Sequence, residues 1–380
     1  MAAQGGRATG VKSVLIVGGG IGGMSAAIAL ARRGIDVTLI DADPNWRVYG
    51  AGISVTGMSL RAFDDLGVLA EVRARGFVGA GIRLRSVEGH LIAESPVPEH
   101  PTTVQSGGGI MRPVLHDILS RRVRESGVAV RLGVQTTAMA DDGAGVDVTF
   151  SDAERGRYDL VIAADGIASR TRALLFPEAP PPRFTGQGCW RIVAPRPAHI
   201  DRTEMYLGAP VKLGLNPVSA DALYLFLLEH VPHNPRYAPE GQLDRVAELL
   251  APFGGDIRTI REGLGPQSQV NYRPLECLLL PDPWYKGRIV LIGDAAHATT
   301  PHMASGAGIA VEDGLVLAEE IGGDGPVEAA LARFMQRRFD RARRVVETSI
   351  RVGEIEMAAG DQAAATALIG DTMRDLQQPY

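Results

Sequence analysis

The chain has 380 residues, enough for a large core and two structural modules. Apolar residues make up 45% and charged residues 22%, the balance of a soluble globular protein, and a net charge of −5 gives no basic face for nucleic acid. No apolar run approaches the ~20 residues of a membrane span. The opening MAAQGGRATG lacks the apolar segment of a signal peptide and reads as a flexible lead-in. Cys189 and Cys277 form no CxxC pair, so two free thiols in a reducing cytoplasm are expected.

The first element is a buried strand in VKSVLIV (11–17). A helix over IGGMSAAIALARRG follows, stopped at Gly34, and then a second buried strand, IDVTLID (35–41). Strand, glycine turn, helix and strand make a βαβ unit. Residues 57–75 are expected to be helical, and 81–95 to form a hairpin turning at Glu88-Gly89. Over 112–126 a helix carries Val114, Leu115, Ile118, Leu119 and Val123 on its apolar face. Short strands fill 128–150, and 158–166 is a buried strand ending in a polar turn. From 183 to 230 aromatic and β-branched residues alternate, as in CWRIVAP, EMYLGAP and ALYLFLLEH, which predicts an inserted antiparallel sheet. A helix over 240–262, a buried strand in RIVLIGDAAH (288–297), and helices over 306–322 and 326–352 complete the pattern. The last 28 residues admit either a helix or an interface, and RVGEIEM (351–357) reads as core packing before a dimer contact.

Three motifs carry chemistry. In GGGIGG (18–23), Gly18, Gly20 and Gly23 satisfy GxGxxG. The first allows a tight turn, the second lets backbone approach a pyrophosphate, and the third lets helix and strand close together. The helix N-terminus adds free N–H groups, and Asp41 stands where a carboxylate can accept from a ribose diol. This motif alone does not separate FAD from NAD. In DLVIAADGIASRTR (159–172), Asp165-Gly166 ends a strand, with Arg170 and Arg172 following. In GRIVLIGDAAHATTPHMASGAG (287–308), Gly293-Asp294 ends a strand, Pro301 follows, and Gly306-Ala307-Gly308 opens a helix. Asp294 can accept from ribityl hydroxyls, and the glycine turn can aim N–H groups at the N1/O2 edge of a reduced isoalloxazine. His297 and His302 are five residues apart with a proline between, so they share no helical face and no metal site is expected. There is no second GxGxxG for a nicotinamide domain and no redox CxxC.

In this order the motifs resemble the single-component FAD-dependent aromatic hydroxylases, the group of p-hydroxybenzoate, salicylate and 6-hydroxynicotinate hydroxylases. The resemblance covers roughly residues 12–350 and includes Gly50-Ala51-Gly52-Ile53 and Arg112 in IMRPVLHDIL. It implies an α/β fold: a Rossmann-like FAD-binding domain in 11–80, 107–180 and 284–325, an inserted mixed or antiparallel-sheet substrate domain in 81–106 and 181–283, and a C-terminal helical segment in 326–380. It implies FAD contacts at Gly18, Gly20, Ile21, Gly22, Gly23, Asp41, Ala42, Arg47, Gly52, Ile53, Arg112, Asp165, Gly166, Gly293, Asp294, Pro301, Gly306, Ala307 and Gly308.

The activity implied is a monooxygenase. NADH or NADPH reduces FAD transiently, O2 adds to give a flavin C4a-hydroperoxide, and an electron-rich phenol, hydroxybenzoate or hydroxypyridine attacks it. His302 is the leading general-base candidate because it follows Pro301, with Ser54 the other catalytic-side candidate, while His297 is expected to buttress the strand end. Substrate candidates in the middle sheet are Trp190, Arg191, Met205, Lys212, Leu215 and Tyr224, an arginine or lysine there suiting a carboxylate. Three positions depart from the family: Ser305 where many members have Gln, Ala310 where many have Asn, and Ser54 where the hydroxynicotinate enzymes have His. Epoxidation, Baeyer–Villiger oxygenation, antibiotic modification and non-catalytic FAD binding stay open, as do monomer and homodimer.

Overall fold

The computed structural model describes residues 9–48, 50–95, 107–208, 211–235 and 237–380. The first eight residues of the lead-in, and residues 96–106 of the expected substrate module, lie outside them. The apolar runs form a six-stranded sheet, ordered Tyr285–Lys286, Ile289–Leu291, Leu160–Ala163, Ser13–Val17, Asp36–Asp41, Ala129–Leu132. Its pairings are parallel except at the Tyr285–Lys286 edge. Buried on both faces, these strands need apolar side chains at every position, which is why they read as continuous runs. Val14 and Ile16 point into a core shared with helices Ile21–Ala31, Arg112–Glu125 and Gly306–Ile321. Leu15 and Val17 point the other way, under Val146, Val148 and Phe150 of a small three-stranded sheet.

The inserted module is a seven-stranded sheet, ordered Val270–Cys277, Arg183–Pro195, Ala222–His230, Lys212–Pro217, Thr203–Leu207, Ile82–Ser86, Leu91–Glu94. All neighbours are antiparallel except Thr203–Leu207 with Ile82–Ser86, so the sheet is mixed. A second three-stranded sheet, Gly52–Thr56, Gly107–Met111 and Phe77–Ala80, lies between the two large ones.

Several elements differ from the periodicity. The 57–75 helix is two, Gly57–Asp65 and Leu69–Arg75, because Gly67 takes φ +71°. The 240–262 helix is likewise broken, into Pro239–Leu250 and Gly255–Glu262, where Phe253 buries itself ahead of two glycines. The strand in 288–297 stops at Leu291, and Asp294–His297 turns into a helix once Gly293 takes φ +57°. The long helix runs to Met357, and Gln362–Asp375 packs back on it as a further helix. No helix among the described residues is long and apolar enough to cross a membrane.

Candidate active site

The first motif builds a groove at the carboxyl ends of the parallel strands. Gly18 has φ +106°, and a Cβ there would overlap the Ala164 carbonyl oxygen. A Cβ at Gly23 would overlap the Gly18 carbonyl oxygen, so the helix closes on the turn only as glycine. Nothing lies within 4 Å of a Cβ position at Gly20, whose backbone stays open to the groove. Ile21 and Gly22 open the helix, and a Cβ at Gly22 would stand 3.4 Å from the Cβ of Ala310. The groove holds about 370 Å³ and is lined by Gly18, Gly20, Asp41, Ala42, Asp165, Gly166 and Arg170, among others. Asp41 is fixed there by the N–H groups of Gly19 and Asp43, both donating to it at 2.8 Å. Asp165 is held by Ser169 Oγ at 2.6 Å and by the Thr171 N–H at 3.1 Å. Arg47 pairs with Asp43 at 3.0 Å.

The second and third motifs are locked together by the second of the two arginines that follow Asp165-Gly166. Arg172 is buried and donates to the carbonyls of Ile167 (2.6 Å) and Ala295 (2.9 Å). Gly293 is held from behind by Asp313, which accepts from its N–H at 2.9 Å, from His297 Nε2 at 2.6 Å and from Arg338 Nε at 2.8 Å. Arg338 also donates to Glu312 at 2.8 Å, and all four side chains are buried. Burial works against the charge of Asp313, but His297 and Arg338 outweigh it and hold the carboxyl below its ordinary range. His297 is therefore the buttress its position suggested. Asp313 and Arg338 had one legible signal: charges inside otherwise apolar helical stripes.

Asp294, by contrast, opens to the cleft. Enclosure by protein raises its pKa, with His297 and Arg112 opposing that shift. Arg112 lies nearby, its stem packed on the Gly50 turn. Burial, and then the charge of Arg191, lower its pKa from a value that still leaves arginine charged. Neither Arg112 nor Arg191 pairs with a carboxylate among the described residues. Pro301 begins a short 3-10 turn that ends at Ala304, with φ +49°. Ser305 is fully buried and donates to the Met303 carbonyl at 2.7 Å. Gly306 and Ala307 open the next helix, and Gly308 lets it lie against Met58 and Ser59 of Gly57–Asp65. Open glycine backbone, the Asp41 carboxylate, an unpaired enclosed guanidinium and an open carboxylate at the strand end fit FAD.

Strand register maps the opposing wall. Cys189 pairs across Leu228 with Lys212, Arg191 across Phe226 with Gly214 and Met205, and Val193 across Tyr224 with Asn216. These are three rows on one face, about 7 Å apart. The last row touches the flavin side directly: Ser54 Oγ lies 2.6 Å from Tyr224 Oη, and Gly52 packs flush on the Tyr224 ring and Val218. Ile53 pairs with Ile110 in the second three-stranded sheet. Burial raises the Tyr224 pKa, keeping the phenol protonated at neutral pH.

Parity corrects two expectations. Trp190 and Leu215 point to the other face, into a core with Val246, Leu250, Phe253 and Ile257. Adjacent residues on a strand face opposite ways, so Trp190 and Arg191 cannot share a cleft. The Trp190 indole instead donates to Glu229 at 2.8 Å and packs on Tyr237 and Tyr272. Lys212 is on the cleft face but committed, its ammonium 2.7 Å from Glu356 Oε1. His302 sits at that same end. Its Nδ1 is 2.8 Å from Thr300 Oγ1, and its Nε2 is 3.4 Å from Glu356 Oε2 without a hydrogen bond. The ring lies against Gly353 and Gln187, away from Ser54 and Tyr224. Burial lowers its pKa, with Lys212 adding to that and Glu356 opposing. Phe226, Asn216 and Glu356 escaped the sequence reading, although the alternation in ALYLFLLEH places Phe226 beside Tyr224 on one face.

A dinucleotide groove at the carboxyl ends of a parallel sheet, in a chain that also carries an inserted mixed sheet, fits a flavoprotein of the monooxygenase class. The chain belongs to the family described as FAD binding domain, whose model matches residues 12–349, and FAD is its cofactor. It is 33% identical over 351 residues to the aurachin C monooxygenase/isomerase of Stigmatella aurantiaca, covering 90% of this chain and 89% of that protein. It is 31% identical over 348 residues to the 2-heptyl-3-hydroxy-4(1H)-quinolone synthase of Pseudomonas aeruginosa, with the same coverages of 90% and 89%. Its fold matches the crystal structure of Klebsiella pneumoniae HpxO complexed with FAD and uric acid, with a TM-score of 0.81, 24% identity, and 98% and 94% of the two chains covered.

Proposed function

We propose that the chain is an NAD(P)H-using FAD monooxygenase that hydroxylates an oxygen-bearing, electron-rich aromatic or N-heteroaromatic small molecule. The observation that carries this reading is the meeting of two walls. One bears Asp294, Arg112 and the Pro301 turn; the other bears Arg191, Phe226 and Tyr224; the Ser54–Tyr224 contact at 2.6 Å joins them. A 2-heptyl-3-hydroxy-4(1H)-quinolone synthase and an FAD-dependent urate hydroxylase are each 31% identical to this chain, which supports setting nitrogen heterocycles beside hydroxybenzoates in the substrate class.

Bound FAD supplies hydride acceptance and O2 activation. In this reading Gly18 and Gly20 face the pyrophosphate, Asp41 the ribose, Arg112 and Asp294 the ribityl side, and the Gly306-Ala307 N–H groups the electron-rich edge of the ring system. Pro301 lines that ring. Arg191 pairs with an anionic group of the substrate, Phe226, Tyr224 and Met205 hold its ring, and Ser54 with Tyr224 meets a ring oxygen. His302 moves from general base to positioning residue: it ties the Pro301 turn to the long helix. The substrate module of this reading comprises 81–106 and 181–283, as the resemblance implies.

The test is NADH and NADPH oxidation with O2 uptake by the holoenzyme, across hydroxybenzoates, hydroxypyridines and hydroxyquinolines. Stimulation of both by at least one member, with a product one oxygen heavier, is expected. A holoenzyme that no member stimulates would sink the reading.

A further inference from the structure

Asn216 is 1% exposed, yet its amide is fully used. One Nδ2 hydrogen goes to the Gly108 carbonyl oxygen at 2.9 Å, an atom that can only accept. That bond fixes which end of the amide faces which way. The other Nδ2 hydrogen goes to Ser54 Oγ at 2.9 Å, and Oδ1 accepts from Thr203 Oγ1 at 2.9 Å. Ser54 Oγ therefore accepts from Asn216 while lying 2.6 Å from Tyr224 Oη.

The two hydroxyls own two hydrogens. One lies between them, whichever is the donor. The other cannot go to Asn216, which is itself donating, and neither oxygen has a further acceptor among the described residues. So one hydrogen remains in either arrangement: on Tyr224 when Ser54 donates, on Ser54 when Tyr224 donates. We propose that, because Asn216 donates to this pair and offers it no acceptor, the pair keeps a single free hydrogen-bond donor for the cleft, one that selects aromatic substrates carrying a hydroxyl, anionic or carbonyl oxygen on the ring. Arg191, one row away on the same face, adds charge to that selection. Asn216 acts through the hydroxyls and is a positioning residue. The inference rests on the monooxygenase reading for the location of the substrate.

The hydrogen count predicts an unusual pattern. Tyr224→Phe leaves the Ser54 hydrogen free, and Ser54→Ala leaves the Tyr224 hydrogen free, so each single variant keeps a donor. Asn216→Ala also keeps one. Asn216→Asp does not: Ser54 now donates to the new carboxylate, Tyr224 donates to Ser54, and both hydrogens are consumed although both hydroxyls remain. Asn216→Ala loses the Gly108 bond as well, so it controls for that damage.

The probes are two matched pairs, salicylate with benzoate and 4-hydroxyquinoline with quinoline. Dissociation constants are read from flavin absorbance changes of the oxidised holoenzyme, without turnover. For at least one pair, wild type is expected to prefer the oxygenated member by about 10- to 100-fold. Asn216→Asp and the Ser54→Ala/Tyr224→Phe double variant should lose that preference, while Asn216→Ala and both single hydroxyl variants should keep most of it. FAD content and melting temperature establish that each variant is folded. Equal or undetectable binding of both members of both pairs by wild type overturns the proposal, as does an Asn216→Ala variant that loses as much preference as Asn216→Asp. Because binding is measured without turnover, absence of NAD(P)H oxidation would count against the monooxygenase reading and leave this pattern to be judged by itself.

Discussion

The dinucleotide half and the mixed seven-stranded sheet are specified by different physics. Around the groove, geometry is set by backbone: a left-handed glycine at 18, close packing at 23, a Gly-only conformation at 293, and carboxylates holding N–H groups. Side chains serve mostly to keep that backbone in place. On the sheet the backbone is generic, and function depends on which face each side chain takes and which residue lies opposite. The first kind of site tolerates almost no substitution at its glycines. The second tolerates most, provided that parity and register are kept.

The sharpest break of this contrast is Gly18→Val. It puts a side chain into the Ala164 carbonyl at φ +106°, so the purified protein should lack the visible flavin spectrum and melt far below wild type. Next comes Arg338→Leu, which leaves buried Asp313 without its guanidinium while Glu312 keeps that of Arg341, at a cost of about 3–5 kcal/mol in chemical denaturation. A loss under about 1 kcal/mol would mean that the Gly293 turn does not need its buttress. On the sheet, Arg191→Met should weaken binding of a carboxylate-bearing aromatic by roughly 1.5–3 kcal/mol while leaving FAD affinity unchanged. Its neighbour behaves oppositely: Trp190→Phe should cost about 1 kcal/mol of stability through the lost bond to Glu229, with no change in aromatic affinity. If Trp190→Phe alters affinity and Arg191→Met does not, the face assignment is inverted.

The smallest effect concerns His302. Burial depresses its pKa below 6.5 in the folded chain, so the unfolded chain binds the extra proton first. The resulting stability is present above pH 6.5 and is lost as pH falls through the folded value. His302→Gln should flatten this part of the stability profile. As a positioning residue it should lower kcat less than about tenfold, whereas loss of a general base costs roughly 100-fold or more.

Legibility followed the same division. GxGxxG between a strand and a helix, and the Gly293-Asp294 segment with its later glycine turn, point to a flavin because backbone constraints leave their mark residue by residue. The alternation in 183–230 reveals a sheet but not its neighbours, since register is settled by pairing between distant strands. Hence Lys212 looked available until Glu356, 144 positions away, supplied its partner. Trp190 is a different case: the rule that separates it from Arg191 is local and could have been applied to CWRIVAP directly. Asn216 lay beyond reach, because its role depends on Ser54, Gly108 and Thr203 arriving from three other strands.

The proposed function has the cleft between these halves transferring oxygen from O2 to a ring. It is tested most directly by turnover of the best-stimulating aromatic with NAD(P)H under 18O2, followed by product mass. One 18O atom in the hydroxylated product is the predicted result. A product labelled only from water, or NAD(P)H oxidation that yields hydrogen peroxide and unchanged aromatic, would contradict it.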